Sequence, residues 1–310
     1  MKPRSTFFHE TKHLSENELL PYEPVCPLCD STERTPIAVL QRQPDVFLMS
    51  CHGCGASSAS RIPTPQTLDD YYCHYYESSA RCYEERVTFD SPERFGRHFA
   101  ERILHDIHKS RLRILDMGGG DGTIAVQTAL ILVQNGFEQI DITVVDYNDA
   151  LTVPDDRRIS MIHQKNLDDI ASERYDFVVA SAVIEHIPYP KTVILKLLEL
   201  LNNGGIFYAR TPYIAPFVRL FQKLGIPFDF TFPAHLHDLG PCFWNTFIQR
   251  HADENHFRII ESRPSIVETS FVRHPARTLA AHIFKAPWHV LGNSYPFVGG
   301  WEIFLQKIER

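Results

Sequence analysis

Between Arg111 and Ala209, short apolar and β-branched runs alternate with longer stretches of helical character. Ile114-Leu115 runs into a glycine-rich turn, and a helix is expected from about Thr123 to Gln134. Ile140–Val145, Ile159–His163 and Tyr175–Ala180 read as strands, followed by a helix from about Pro190 to Leu201. The Asn202-Asn-Gly-Gly205 turn then leads into a buried strand, Gly205–Ala209. Apolar runs of this kind, separated by helices, imply a parallel sheet covered on both faces, an α/β architecture. Phe257–Ser262 and Trp301–Ile308 read as late strands, and a proline-bearing insertion from Arg263 to Gly300 separates them.

The chain upstream has a different character. Ile37–Leu40 and Val46–Met49 flank Gln41-Arg-Gln-Pro-Asp45 and predict a hairpin. Cys26-Pro-Leu-Cys29 precedes it, Cys51-His-Gly-Cys54-Gly55 follows it, and Pro63 and Pro65 close the segment. Helices are expected over about 66–76, a tyrosine-rich stretch, and 92–109. The predicted organisation is a module at 1–65, a helical linker or lid at 66–110, and an α/β domain at 111–310.

Composition narrows the functional classes. Hydrophobic residues make up 44% of 310 and charged residues 22%, enough to bury a sizeable core. A net charge of −7 disfavours a sequence-independent grip on nucleic acid phosphates. The first twenty residues carry Lys2, Arg4, Glu10, Lys12, Glu16 and Glu18, so no export signal is expected. No apolar stretch approaches the roughly 20 residues of a membrane span. With four of the seven cysteines in two Cys-x-x-Cys pairs, a reduced, cytoplasmic setting and a metal fit better than a disulfide scaffold.

Asp116-Met-Gly118-Gly-Gly120-Asp121-Gly122 joins a buried strand to a helix start. Glycines there permit positive φ and let a ligand lie against bare backbone. The dinucleotide pattern G-x-G-x-x-G fails, because Thr123 stands at its third glycine, and Asp121 would oppose a pyrophosphate. A cofactor with a positive centre and no phosphate suits the loop better. Asp146, at the end of the second strand, is placed to accept both hydroxyls of a ribose.

These residues resemble the first motif, D-x-G-x-G-x-G, of the class I S-adenosylmethionine-dependent methyltransferases. The resemblance extends over Lys165-Asn166-Leu167-Asp168 and over Tyr175–Pro190 with Glu185-His186, from roughly Arg111 to the C-terminus. It implies a Rossmann-like methyltransferase fold with a mostly parallel seven-stranded sheet. It also implies that Asp116, Gly118, Gly120, Gly122, Asp146, Tyr147 and Ser181 line the cofactor. Asn166, by its side chain, and Leu167, by its backbone N–H, would contact adenine.

Twenty-one residues separate the two cysteine pairs. A hairpin that brings Cys26, Cys29, Cys51 and Cys54 together presents four thiolates to a structural Zn²⁺ in a zinc-ribbon-like module. Asp30 occupies a position where such a knuckle often carries glycine, and Cys73, Cys82 and Cys242 are expected to be non-ligand thiols. The run from the second pair through Pro63-Thr-Pro to Leu68–Tyr76 resembles the start of methyltransferases of glycan and deoxysugar biosynthesis. There, a four-cysteine zinc module helps to cover the substrate, and the tyrosines of 71–76 could stack on a sugar.

Methyl transfer to an alcohol or carbon also needs a proton acceptor, and a neutral His suits that role. Glu185 and His186 follow a strand end at the rim where α/β sheets bind ligands. Phe228–Asp238 forms an expected lid, similar to the His-Glu-His loop of sugar C-methyltransferases, with His235 at the last His position. Pro233 and Ala234 replace the other two residues, which leaves O-, N- and C-methylation open. His237 could simply be solvated. The expected activity is methyl transfer to a small-molecule acceptor, a sugar, nucleotide-linked sugar or related biosynthetic intermediate. The alternatives are an RNA methyltransferase gripping its substrate through the zinc module, which the five basic and seven acidic residues of 1–60 disfavour, and a non-catalytic cofactor-binding partner. The oligomeric state is not legible.

Overall fold

The computed structural model describes residues 3–6, 9–79, 91–170, 173–251 and 256–308. Lys2 and Cys82 lie outside the described residues.

The main sheet has seven strands, and its centre is parallel. The strands are β4 (Arg111–Met117), β5 (Gln139–Val145), β6 (Ile159–Gln164), β7 (Tyr175–Ser181), β8 (Leu201–Tyr213), β10 (Phe257–Pro264) and β11 (Gly299–Lys307). Their spatial order is β10-β11-β8-β7-β4-β5-β6. Strands β6, β5, β4, β7 and β8 run parallel, and β11 is antiparallel to both β8 and β10. The order reverses between β4 and β5 on one side and β7 on the other, which opens a crevice at the strand ends. β8 begins at Leu201, four residues earlier than the pattern indicates, because Leu201 already pairs with Tyr175.

Helices α2 (Pro92–Asp106) and α3 (Thr123–Gln134) cover one face, where Phe99, Ile103, Leu132, Ile142 and Phe177 form one core. Gly96 lets α2 lie directly against α3: a Cβ there would come within 2.8 Å of Gln127 and 2.9 Å of the Thr128 nitrogen. The other face carries α4 (Pro190–Glu199) and α6 (Pro241–His251), with Trp244, Phe247, Leu197 and Trp301 buried together.

The N-terminal hairpin, β1 (Arg34–Gln41) and β2 (Val46–Cys51), is antiparallel as expected. A short β3 (Ser57–Ala59) extends it, and β9 (His237–Asp238) completes the four-stranded sheet from far along the chain. The module and the α/β domain share a core, in which Cys26, Leu28, Cys51, Cys54 and Ala56 pack with Phe243 and Trp244. Helix α1 (Pro65–Ser79) leads away from the module. Helices α5 (Ala215–Lys223), α7 (Pro275–Lys285) and α8 (Trp288–Leu291) lie in the segments that cap the C-terminal ends of the strands.

Candidate active site

One cavity of about 870 Å³ lies at the crevice, and its wall is built from the glycine loop, the strand ends, the N-terminal segment and α7. Asp116, Gly118, Gly120, Asp146, Tyr147 and Ser181 line it, as do Glu185, His186 and His235. Gly122, Asn166 and Leu167 do not; Lys165 does.

The glycine loop is shaped by its own contacts. Gly118, Gly120 and Gly122 have φ of 70°, 60° and 76°, the left-handed region that side chains disfavour. A Cβ on Gly118 would stand 2.6 Å from Val183 Cγ2. Gly119, not singled out by the motif, is held by a second constraint: its Cβ would meet Asp116 Oδ2 at 2.5 Å. Gly122 serves as the N-cap of α3 and packs over Val144 and Met161 rather than facing the cavity. Asp146 Oδ2 accepts a hydrogen bond from the Gly120 N–H at 2.8 Å, and Oδ1 accepts one from the Asn148 N–H at 2.9 Å. It therefore pins the loop at the strand end. Asn166 caps a short helical turn, with its side-chain N–H directed to Asp169 Oδ2 at 3.3 Å, and Leu167 is buried in the core.

This end of the cavity is negative. Burial, then the charges of Asp146 and Asp121, push the Asp116 carboxyl up to about 7. A cationic ligand would relieve that repulsion and restore the ordinary carboxylate. Bare glycine backbone, a ribose-competent Asp and a negative cradle fit S-adenosylmethionine, which carries a sulfonium and an α-ammonium.

Histidines also line the cavity. Leu236 N–H donates to the Glu185 carbonyl at 2.9 Å, so the 228–238 loop is bound to the turn after β7. The His186 ring N–H at Nδ1 donates to the Ala234 carbonyl at 2.8 Å, which leaves the Nε2 lone pair 3.9 Å from Glu185 Oε1. The rings of His186 and His235 are 5.0 Å apart. Glu185 Oε2 and His235 Nδ1 are buried without a hydrogen-bond partner among the described residues. Burial pushes the Glu185 carboxyl up to about 8 and draws His186 down to about 4, with His235 well below its ordinary value. Burial thus favours the uncharged form of all three.

Position-based reading missed His9. Its ring lies 4.9 Å from that of His186, and burial draws it down to about 3. It arrives there because the N-terminal segment is bound to the 228–238 loop: Ser5 N–H donates to the Asp229 carbonyl at 2.8 Å and Lys12 N–H to the Phe232 carbonyl at 3.1 Å. No local motif could reveal that. Ala182 was also missed; its φ of 56° marks a strained turn at the end of β7, on the cavity wall. His237 is not solvated. It is 1% exposed, and its Nε2–H donates to the Ile187 carbonyl at 2.8 Å, so it braces the turn. Of the tyrosines, Tyr72 lines the cavity and stacks on Tyr147, with centroids 6.2 Å apart and planes within 5°.

Basic side chains also line the cavity. Arg210 is buried, hydrogen-bonds Ser181 Oγ at 3.0 Å and pairs with Glu268. Lys285 donates to the Ser265 carbonyl, and burial brings its ammonium down to about 8.

The four cysteines converge as expected. Cys26 and Cys54 sulfurs are 3.8 Å apart and those of Cys29 and Cys51 3.5 Å, with all four within 4.8 Å of one another. Zn–S bonds near 2.3 Å in a tetrahedron place sulfurs about 3.8 Å apart, so the donor set fits Zn²⁺ and the spacing is far beyond a disulfide. Asp30 has φ of 62°, the left-handed conformation that glycine supplies in such knuckles, and its carboxylate meets Lys191 Nζ at 2.5 Å. Cys73 and Cys242 lie outside the cluster and are exposed.

The family model described as "Methyltransferase domain" matches residues 91–261, more than half of the chain. The chain belongs to this family, and the domain is of the class I, S-adenosylmethionine-dependent type with the Rossmann-like sheet described above. The match begins at α2, so that helix is part of the family's domain. The chain is 30% identical over 118 residues to the mitochondrial ubiquinone biosynthesis O-methyltransferase of Candida albicans, covering 36% of this chain and 35% of that protein. It is 29% identical over 115 residues to the tRNA 5-carboxymethoxyuridine methyltransferase of Escherichia coli K12, covering 34% and 42%. The chain thus spans well under half the length of these curated relatives. Among solved structures it is similar to magnesium protoporphyrin IX methyltransferase of Synechocystis with bound SAH, at 12% identity and a TM-score of 0.47, covering 76% and 94%. No described helix is long and apolar enough to cross a membrane.

Proposed function

We propose that the chain transfers a methyl group from S-adenosylmethionine to a small-molecule acceptor, a sugar, nucleotide-linked sugar or related biosynthetic intermediate. The observation that carries this reading is that one cavity is lined both by a glycine loop with clustered carboxylates and by buried histidines. When bound, S-adenosylmethionine supplies an electrophilic methyl. Asp146 takes the ribose hydroxyls, Asp116 faces the positive end, and Gly118 and Gly120 leave room for the amino-acid portion. Tyr147, beside Asp146, covers the nucleoside, and Lys165 stands on the cavity wall where Asn166 and Leu167 were expected.

The acceptor sits against His186, His235 and Glu185. His235, whose Nδ1 is unpartnered, takes the acceptor's proton. His186, oriented by Ala234, stands beside it, with the Glu185 carboxyl 3.9 Å from its Nε2. Burial of these groups keeps water from competing for the methyl. Four thiolates hold Zn²⁺ in the N-terminal module, where a closed tetrahedral site stabilises the fold and leaves no coordination position for substrate. Free thiols and this site suit a reducing, cytoplasmic setting. An RNA acceptor, as in the E. coli relative, is less well supported, because acidic residues outnumber basic ones in the module.

Calorimetry with S-adenosylhomocysteine tests the cofactor. Binding to the native chain, loss in Asp146→Ala and no NAD binding are expected. A panel of nucleotide-sugars and free sugars with methyl-labelled cofactor then tests the acceptor. His235→Ala with undiminished turnover on the true substrate would remove His235 from the proton-accepting role.

A further inference from the structure

The insertion before β11 presents an unusual surface. Seven large apolar side chains, Phe271, Val272, Leu279, Ile283, Phe284, Val290 and Leu291, are at least half exposed within 21 residues, with Val272 93% and Val290 86% exposed. They belong to the turn before α7, to α7 itself and to α8. Phe271 stacks on His282 of α7 at 5.7 Å, which joins the turn to the helix. Phe217 of α5 packs on Phe284 at 5.6 Å, so the exposed Leu220, Leu224 and Ile226 continue the same face.

Charge distinguishes this face from the rest of the molecule. Thr269–Trp301 contains no Asp or Glu, in a chain with 38 of them and a net charge of −7. It carries Arg273, Arg277, Lys285, His274, His282 and His289. The 214–228 segment is also free of acids and carries Arg219 and Lys223. Arg219, Lys223, Arg273 and Arg277 are exposed.

We infer that this face docks onto an anionic lipid bilayer, with the apolar side chains entering the headgroup boundary and the basic ones meeting the phosphates. Apolar side chains alternating with Lys and Arg on a helix pair are the combination that partitions into a charged interface without spanning it. Burying a single exposed valine contributes roughly tenfold in affinity or more. A second copy of the chain is a poorer occupant, since a two-fold contact would set the same basic groups against their own images. RNA is a poorer one too, because most of the exposed apolar side chains are aliphatic and offer no flat face to stack on bases. Docking would also set the cavity at the bilayer, since Ala280, Ala281, Phe284 and Lys285 of α7 form part of its wall. The inference stands on the surface alone and does not depend on methyl transfer.

The test is sedimentation of the full chain with vesicles of phosphatidylcholine alone, or of equal parts phosphatidylcholine and phosphatidylglycerol. Binding to the mixed vesicles, weakened by salt and absent with phosphatidylcholine alone, is expected. Lys223→Gln and Arg273→Gln should each weaken it about fivefold. Val272→Asp and Val290→Asp, at positions open to solvent, should each weaken it about tenfold or more with thermal unfolding unchanged. Native chain that stays in the supernatant with both vesicle types overturns the inference. So does a concentration-dependent dimer that Val290→Asp dissociates, or a tRNA complex that Val290→Asp weakens, when no vesicle binding accompanies it.

Discussion

Glu185→Gln probes the burial of the carboxyl on the cavity wall after β7. In the folded chain Glu185 is 2% exposed and its carboxyl is pushed up to about 8, chiefly by burial, while Arg210 opposes the shift and Glu268 and Asp238 add to it. In the unfolded chain it ionises near 4.5. The folded state therefore holds a proton that the unfolded state releases, and stability falls as pH rises from about 4.5 to about 8. At 1.36 kcal/mol per unit, the loss is about 2 kcal/mol by pH 6, about 3 by pH 7 and close to 5 above pH 9. Glutamine has the shape of the protonated acid and does not titrate. Urea unfolding of both proteins at pH 5, 6, 7 and 8 should then give nearly equal stabilities at the acid end. The difference should widen in favour of the variant as pH increases. Asp116, pushed up to about 7 chiefly by burial, remains in both proteins and cancels in the difference. A constant difference across this range would refute the claim that Glu185 is buried as the neutral acid.

Gly118→Ala combines a left-handed φ with a Cβ 2.6 Å from Val183, and should weaken S-adenosylhomocysteine binding at least tenfold by calorimetry. Cys51→Ser, or a strong chelator, should remove one equivalent of zinc by elemental analysis and lower the thermal midpoint by many degrees, because the cysteines sit in the core shared with Trp244. Asp30→Gly relieves the left-handed strain but removes the ion pair with Lys191, so its stability should stay within about 1 kcal/mol of native by urea unfolding. Tyr147→Ala, which strips the stacking partner of Tyr72 at the cavity edge, should raise the dissociation constant for the same ligand several-fold.

Local chemistry along the chain was enough to indicate the strand-loop-helix from Arg111 to Gln134, the strand-end Asp146 and the paired cysteines. Each depends on neighbours within a few residues: apolar runs buried on both faces, glycines where φ turns positive, thiols held by knuckles. Even the departure at Asp30 could be read, because the left-handed requirement of the turn is a backbone property. The histidine cluster is different. His186 and His235 stood among sixteen histidines, and His9 gave no signal, because its place depends on a segment bound to residues 229–232, more than two hundred positions away. The fourth strand of the N-terminal sheet, His237–Asp238, is too short to read by pattern and exists only because β3 offers it an edge. The same holds for the apolar, acid-free face of α5 and α7. Its composition is visible in the sequence, but whether those side chains are buried or open to solvent is decided by how the two helices cap the sheet. Periodicity records which residues share a face. What that face meets is set by long-range packing, which is why the glycine loop, Glu185, His186 and His235 could be named from the chain and His9 could not.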